Sequence, residues 1–301
     1  MPDSIMKEKE GLEANINIPR VNEIQRFMRI FWSRKLVIIG MVVILLVLVM
    51  ATFAPWLAPY DPYEPNVNEM LLKPSWAHPL GTDSLGRDVL SRVIYGSRNS
   101  LMVGVVALGI AASLGMMIGL ISGYFGKWVQ SILMRFIDAL MTFPMILLAL
   151  LLATLMGGGL KNVMIALGIS LLPGYARLMC AQALSVKEND YILAEKSVGA
   201  SNFRIMVNHI FPNCLPPLIV MITMQMGAAI LAEAGLSFLG IGILPPGAAW
   251  GAMVNEGYVY LLTQPILSFA PGIAIMLTVF SFNMLGDGLR DALDPRLRGT
   301  L

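Results

Sequence analysis

Residues 187–213, KENDYILAEKSVGASNFRIMVNHIFPN, decide how the rest of the chain is read. The segment is polar and charged, and long apolar stretches flank it on both sides. Asp190 can cap a helix that starts at Tyr191, because a short carboxylate accepts hydrogen bonds from the free N–H groups of a first turn. Gly199 then ends that helix. Ser201 or Asn202 can cap a second helix over 203–210, and Pro212 halts it for want of an N–H. A helix this short does not hold in water alone, so it needs a surface to pack on. Tyr191 and Ile192 beside Lys187, Glu188, Glu195 and Lys196 give the mixed polarity of a docking surface; a solvated connector is the other reading of these residues.

The flanking stretches set the class. The chain has 301 residues, is 56% hydrophobic and only 13% charged, and has a mean hydropathy of +0.71. Soluble domains carry about 25% charge. A single membrane domain follows. The net charge of +2 and the lack of a dense basic tract argue against nucleic acid. Cys180 and Cys214 form no CxxC and lie in or beside apolar runs, as small buried thiols do. His78 and His209 fall on opposite faces of the topology below, so a zinc site is not expected. There is no GxxxxGK followed by Ser or Thr, and no HExxH, Ser–His pair or Asp pair within a span. Nucleotide hydrolysis and intramembrane proteolysis are therefore not expected of this chain.

Six apolar segments are long enough to cross about 30 Å of hydrocarbon. They run over roughly 36–56, 99–122, 137–156, 162–180, 215–233 and 266–285. Arg34-Lys35 before the first span places the N-terminus in the cytoplasm by the positive-inside rule. Residues 1–35 then form a cytoplasmic tail ending in an interfacial helix. Segments 57–98 and 235–265 are external, 187–213 is cytoplasmic, and 287–301 is a cytoplasmic C-terminal tail. In the first external segment, Thr82 or Asp83 can cap a short amphipathic helix running toward Tyr95. Arg87, Asp88 and Arg92 form its polar side. The second external segment, broken by Gly and Pro, reads as a re-entrant loop or surface helix. Pro144 can kink span three. Pro173-Gly174 is a possible hinge, with a simple packing kink as the alternative. Pro216-Pro217 limits the first turn of span five, and Glu233 reads either as an interfacial acid or as a functional acid within the membrane.

Four blocks carry a resemblance: HPLGTDSLGRDVLSRVIYGSRNSL at 78–101, DYILAEKSVGASNFRIMVNHIFPN at 190–213, LSFLGIGILPPGAAWG at 236–251 and FNMLGDGLRDALDPRLRG at 282–299. In this order they resemble the second permease subunit of the dipeptide, oligopeptide and nickel importers, within the binding-protein-dependent ATP-binding cassette (ABC) importers. The resemblance implies an all-α membrane protein with six transmembrane helices, cytoplasmic coupling helices and the type I ABC importer permease fold. It implies a second homologous permease, two ATPase subunits and an extracytoplasmic solute-binding protein as partners. ATP and magnesium would belong to the partner ATPases, with no cofactor in this chain.

In such permeases the second block holds the Glu-Ala-Ala loop that fits an ATPase groove. Leu193-Ala194-Glu195 stands in its place, so only Ala194 matches. Gly199 matches the motif glycine, and Ile210 and Pro212 match its closing residues. The implied coupling residues are Asp190, Tyr191, Ala194, Glu195, Gly199, Ala200, His209 and Pro212. Asp83, Arg87, Asp88, Arg92 and Trp250 are candidates for an external docking surface or gate, with simple helix capping and local salt bridging as the other reading of Arg87, Asp88 and Arg92. The resemblance implies import of dipeptides or oligopeptides across a bacterial inner membrane. Nickel, a metal chelate or glutathione are alternative solutes, and a non-transporting structural membrane subunit is the reading of another class.

Overall fold

Two helices packed at close range form the centre of the molecule, in a computed structural model that describes residues 23–243 and 246–293. The proposed flexible tail at 1–20 and the basic residues after 293 lie outside the described residues. In chain order the helices are α1 (Glu23–Ser33), α2 (Lys35–Thr52), α3 (Ala54–Leu57), α4 (Val89–Phe125), α5 (Lys127–Met141), α6 (Met145–Leu155), α7 (Leu160–Val186), α8 (Asp190–Ser197), α9 (Asn202–Phe238), α10 (Trp250–Tyr258) and α11 (Ile266–Leu293). No β-strand occurs among the described residues.

The central pair is α4 and α7, and small residues make its close approach possible. A Cβ at Gly119 would stand 2.3 Å from the Ala176 carbonyl oxygen, and one at Gly115 would stand 2.7 Å from that of Leu172. Gly123 meets Cys180 and Ala183 in the same way. The backbones therefore touch where side chains would hold them apart. Both cysteines are buried, and Cys180 accepts the Ser122 hydroxyl at 3.1 Å.

α4 runs for 37 residues, about 55 Å at 1.5 Å per residue. The expected short helix before Tyr95 and the span expected from 99 are one continuous helix. Its cap is Asp88 rather than Thr82 or Asp83: Asp88 Oδ2 accepts from the Ser91 N–H at 2.8 Å. Gly96 resembles a break in sequence but is a packing site, since a Cβ there would lie 2.6 Å from the Trp250 ring.

Prolines also behave differently from the local expectation. Pro212 does not stop a helix, and Pro216 and Pro217 lie inside α9 rather than limiting its first turn. Residues 205–210 wind as a π-helix, and the Phe211 N–H reaches back to the Met206 carbonyl. That wider turn absorbs the register change next to a residue with no donor. Ser201 caps the start of α9, accepting from the Arg204 N–H at 3.4 Å. α7 likewise stays helical through Pro173-Gly174. A Cβ at Gly174 would lie 2.9 Å from the Met221 methyl, so this glycine makes room for α9.

Span three is broken rather than kinked. α5 and α6 meet at 87° across Thr142, Phe143 and Pro144. An exposed ion pair, Arg177 Nη2 to Asp138 Oδ1 at 2.6 Å, ties α5 to α7. Five helices are long and apolar enough to cross a membrane, and the bent pair brings the count to six if it is one span. α11 extends to Leu293, past the expected end near 285, and carries the start of the expected tail. Gly288 on α11 packs against Val37, and Arg34 pairs with Asp291 at 2.5 Å, so α1 ends and α2 begins where α11 ends. α2 exposes Leu36, Ile39, Leu45 and Leu46, a surface suited to lipid or another subunit.

Candidate functional site

α8 and the first turns of α9 protrude at the end of the bundle where α4 finishes. α8 begins at Asp190 itself, and the cap position falls to Asn189, which makes no side-chain cap. Asp190 therefore supplies negative charge to the first turn rather than a capping bond. Gly199 has φ +86°, a left-handed conformation that side chains resist, although nothing lies within 4 Å of a Cβ there. Glycine is required by backbone and not by space.

One side of this unit is sunk into the bundle. Ile192, Ile205 and Ile210 are fully buried in a cluster with Tyr124, Tyr175, Met179 and Ala183. Ala200 packs at its edge. The Tyr124 hydroxyl donates to Asn202 Oδ1 at 2.7 Å, Lys196 lies 5.5 Å over the Tyr124 ring, and Lys187 donates to the Gly123 carbonyl at 3.0 Å. His209 Nε2 stands 3.7 Å from Glu195 Oε1, joining the two helices. The other side is open. Tyr191 is 43%, Phe203 73% and Val198 87% exposed, with Leu193 and Ala194 beside them. Pro212 is exposed on α9. Sequence reasoning missed Tyr124, which lies 78 residues from its partner. Nothing in local spacing signals such a pair.

The opposite end of the molecule carries a buried charge cluster. Asp83 Oδ2 accepts from Arg87 Nε at 2.7 Å and from Arg92 Nη1 at 2.5 Å. Both arginines also reach Glu256 Oε2 on α10, each at 3.1 Å. Asp88 holds His78 Nδ1 at 3.0 Å, and the Tyr60 ring stacks on that imidazole. Asp83, Arg87, Asp88 and Arg92 were expected on a polar surface, yet all four are buried. The structure corrects that expectation, because the 235–265 segment folds over them. Trp250 seals the contact: it is fully buried, and its Nε1 donates to the Val93 carbonyl at 2.9 Å.

Glu256 was missed, although a signal existed. It is the sole charged residue between Glu233 and Asp287, and a lone acid in a long apolar region needs a partner. Glu233 is corrected as well. It is fully buried rather than interfacial, and it accepts from Ser237 at 2.6 Å and Ser100 at 3.3 Å.

The cluster has a pH consequence. Burial raises the Glu256 carboxyl above its ordinary value of 4.5, outweighing the pull of Arg87, and Asp83 adds to the rise. The native state holds this proton at a pH where the unfolded chain has released it. The stability it contributes is fully present below pH 4.5 and is lost as pH rises through the raised value. The thermal midpoint of the wild type is expected to fall across that window, and that of Glu256→Gln to fall less. Equal slopes in both proteins would assign the effect to another group.

A third feature lies along the spans. A groove of about 990 Å³ opens between α7, α9 and α11, reaching the end that carries α8. Gln182, Asn213, Gln225, Asn283 and Arg290 line it together with Pro216, Pro217, Met221 and Met224. Among the described residues no group of three His, Cys, Asp or Glu could hold a metal ion.

Membrane-length helices, a helical protrusion at one end and a polar groove along the spans define a polytopic permease. The chain belongs to the family of binding-protein-dependent transport system inner membrane components, whose model matches residues 115–299. The N-terminal transmembrane domain of oligopeptide transport permease C matches residues 23–74. A dipeptide transport system permease protein of Alkalihalophilus pseudofirmus is 41% identical over 88% of each chain. A probable D,D-dipeptide transport system permease protein of Escherichia coli is 42% identical over 90% of this chain and 92% of its own. A glutathione transport system permease protein of Pectobacterium atrosepticum is 40% identical over 96% of this chain and 98% of its own. Among solved structures, the inward-facing methionine ABC transporter MetNI contains a chain that matches with a TM-score of 0.55 at 16% identity. The match covers 67% of this chain and 96% of that one. The fold is that of a type I ABC importer permease, and the protein is a multi-pass inner-membrane protein.

Proposed function

We propose that this permease carries dipeptides or oligopeptides across the inner membrane by alternating access, driven by separate ATPase subunits. The observation that supports this most is the unit of α8 and the first turns of α9, which is buried on one side in the α4–α7 core and presents Tyr191, Val198 and Phe203 on the other. Such a helix is built to pass a push from a docked partner into the bundle. The names of the relatives, for dipeptides, D,D-dipeptides and glutathione, support a peptidic solute.

The partners in this reading are two ATPases that bind ATP and magnesium, a second homologous permease and an external solute-binding protein. Basic residues gather at the α8 end, with Arg34, Lys35, Lys187 and Arg290 among them, which favours placing that end in the cytoplasm. The end built around Asp83, Arg87, Arg92 and Trp250 then faces the binding protein. ATP binding draws the ATPases together and moves α8. Ile192, Ile205 and Ile210 carry that motion into α7 and α9, and Tyr124 and Lys187 carry it into α4. The path opens outward, and hydrolysis returns it inward. Each ligand acts by favouring one of two conformations.

The test is solute-stimulated ATP hydrolysis by the reconstituted importer across dipeptides, longer peptides, glutathione, nickel and chelated nickel. Peptides are expected to stimulate. The double variant Tyr191→Ala, Phe203→Ala is expected to insert normally, to lose ATPase subunits during purification and to lower stimulated hydrolysis on the order of tenfold or more. Undiminished association and hydrolysis would remove α8 from the coupling role.

A further inference from the structure

We infer that the groove between α7, α9 and α11 is this subunit's wall of the solute path, and that it holds a peptide by its backbone amides and its free carboxylate. The inference rests on the importer reading above and adds the residues and the mode of recognition.

Depth comes first. Asn213 and Gln225 lie twelve residues apart on α9, about 18 Å along the helix axis. Gln225 lies ten residues, about 15 Å, inside the expected start of span five near 215, about half of a hydrocarbon layer of about 30 Å. Gln182, Gln225 and Asn283 present carboxamides into it from three different helices. Gln225 is the deepest of the three, and a polar group at that depth is costly against lipid and is kept where water or a ligand meets it. α2, by contrast, presents leucine, isoleucine and valine to its surroundings.

The chemistry of the lining selects a ligand. A carboxamide both donates and accepts, which matches the alternating N–H and C=O of a peptide. Among the described residues Arg290 is the only charged one in the lining, so the groove favours a carboxylate at the α8 end. Pro216 and Pro217 have no N–H, and the carbonyls of Pro212 and Asn213, four residues earlier, lose their usual helical donors. Met221 and Met224 supply adaptable apolar surface for side chains of different shape. A volume of about 990 Å³ lies at the upper end of the range of about 300–1,000 Å³ for small-ligand sites.

The experiment uses the complete importer in proteoliposomes. The probe is the peptide that the wild type takes up fastest from a panel of di- and tripeptides. The double variant Gln225→Leu, Asn283→Leu is expected to lower uptake by about tenfold or more, the loss of hydrogen bonds to a polar ligand. The purified double variant is expected to keep its ATPases and the second permease, which a merely structural lesion would not allow. Arg290→Gln is expected to raise KM more than it lowers kcat, and Arg290→Lys to recover most of the loss. Unchanged uptake in both the double variant and Arg290→Gln would overturn the inference while leaving the proposed function intact. Loss of the second permease from the purified double variant would also overturn it, by making the groove a subunit contact. A wild-type importer that accepts another solute but no peptide would overturn the peptide class here and in the proposed function alike.

Discussion

Gly119→Leu is expected to yield no properly folded subunit. The first atom of any side chain at this position falls 2.3 Å from the Ala176 carbonyl oxygen, 2.7 Å from Met179 Cβ and 2.9 Å from the Cys180 nitrogen. Two of those three neighbours are backbone atoms of α7, which cannot swing aside as a flexible side chain can. Relief requires the helices to part, and parting them strips contacts at Gly115 and Gly123 on the same seam. Overpacking costs about 1–3 kcal/mol where side chains can adjust, and more where they cannot. Against a total stability of roughly 5–15 kcal/mol, that loss is a large fraction. The measurement is the yield of monodisperse protein in detergent and its thermal midpoint. Gly109→Ala on the same helix is the control, because nothing lies within 4 Å of a Cβ there. Its midpoint is expected to match or slightly exceed wild type, since alanine favours helix over glycine. A Gly119→Leu protein that melts like wild type would mean that α4 and α7 are not in backbone contact.

Asp83→Ala is expected to free the 61–88 segment from α10. This carboxylate serves Arg87 and Arg92, and also accepts the backbone N–H groups of Leu85 at 2.8 Å and Arg87 at 3.0 Å. Without it, two buried guanidinium groups share Glu256 alone. Arg92 is only 1% exposed, and its Nε already has no hydrogen-bond partner among the described residues. Removing one member of a buried ion cluster costs about 3–5 kcal/mol, because the remaining charge is left without water or a partner. Limited proteolysis is expected to cut within 61–88 far faster than in wild type. Asp83→Asn should fall between the two, since an amide oxygen preserves the backbone bonds without the charge. Wild-type protease resistance in Asp83→Ala would show that the segment is held by Trp250 and its apolar contacts instead.

These two sites differ in how far the sequence foretold them. Gly115-x-x-x-Gly119 is visible as a close-packing pattern, but its partner helix is not. The charges at 83, 87, 88 and 92 are visible, but a helical wheel assigns them to solvent. Burial depends on what folds over a face, and here that is Trp250 and Glu256, more than 150 residues away. Glu233 shows the same limit, since Ser100 lies 133 residues away. Pro212, Pro216 and Pro217 show it for helix ends. A proline removes one donor wherever it stands, but a π turn and tertiary packing decide whether the helix ends or continues.

The sequence by itself determined the apolar segments, the protruding polar unit between α7 and α9, the turn at Gly199 and the family blocks. Each of these is local: crossing hydrocarbon takes about twenty apolar residues in a row, and a positive φ favours glycine whatever surrounds it. Tertiary structure alone decided that α4 is one helix, that α5 and α6 meet at a right-angled break and that Arg87 and Arg92 are buried. It also decided which side chains line the groove, because α7, α9 and α11 each contribute to it. Pairing and solvation are set by atoms that meet in space, and no window of sequence contains both partners.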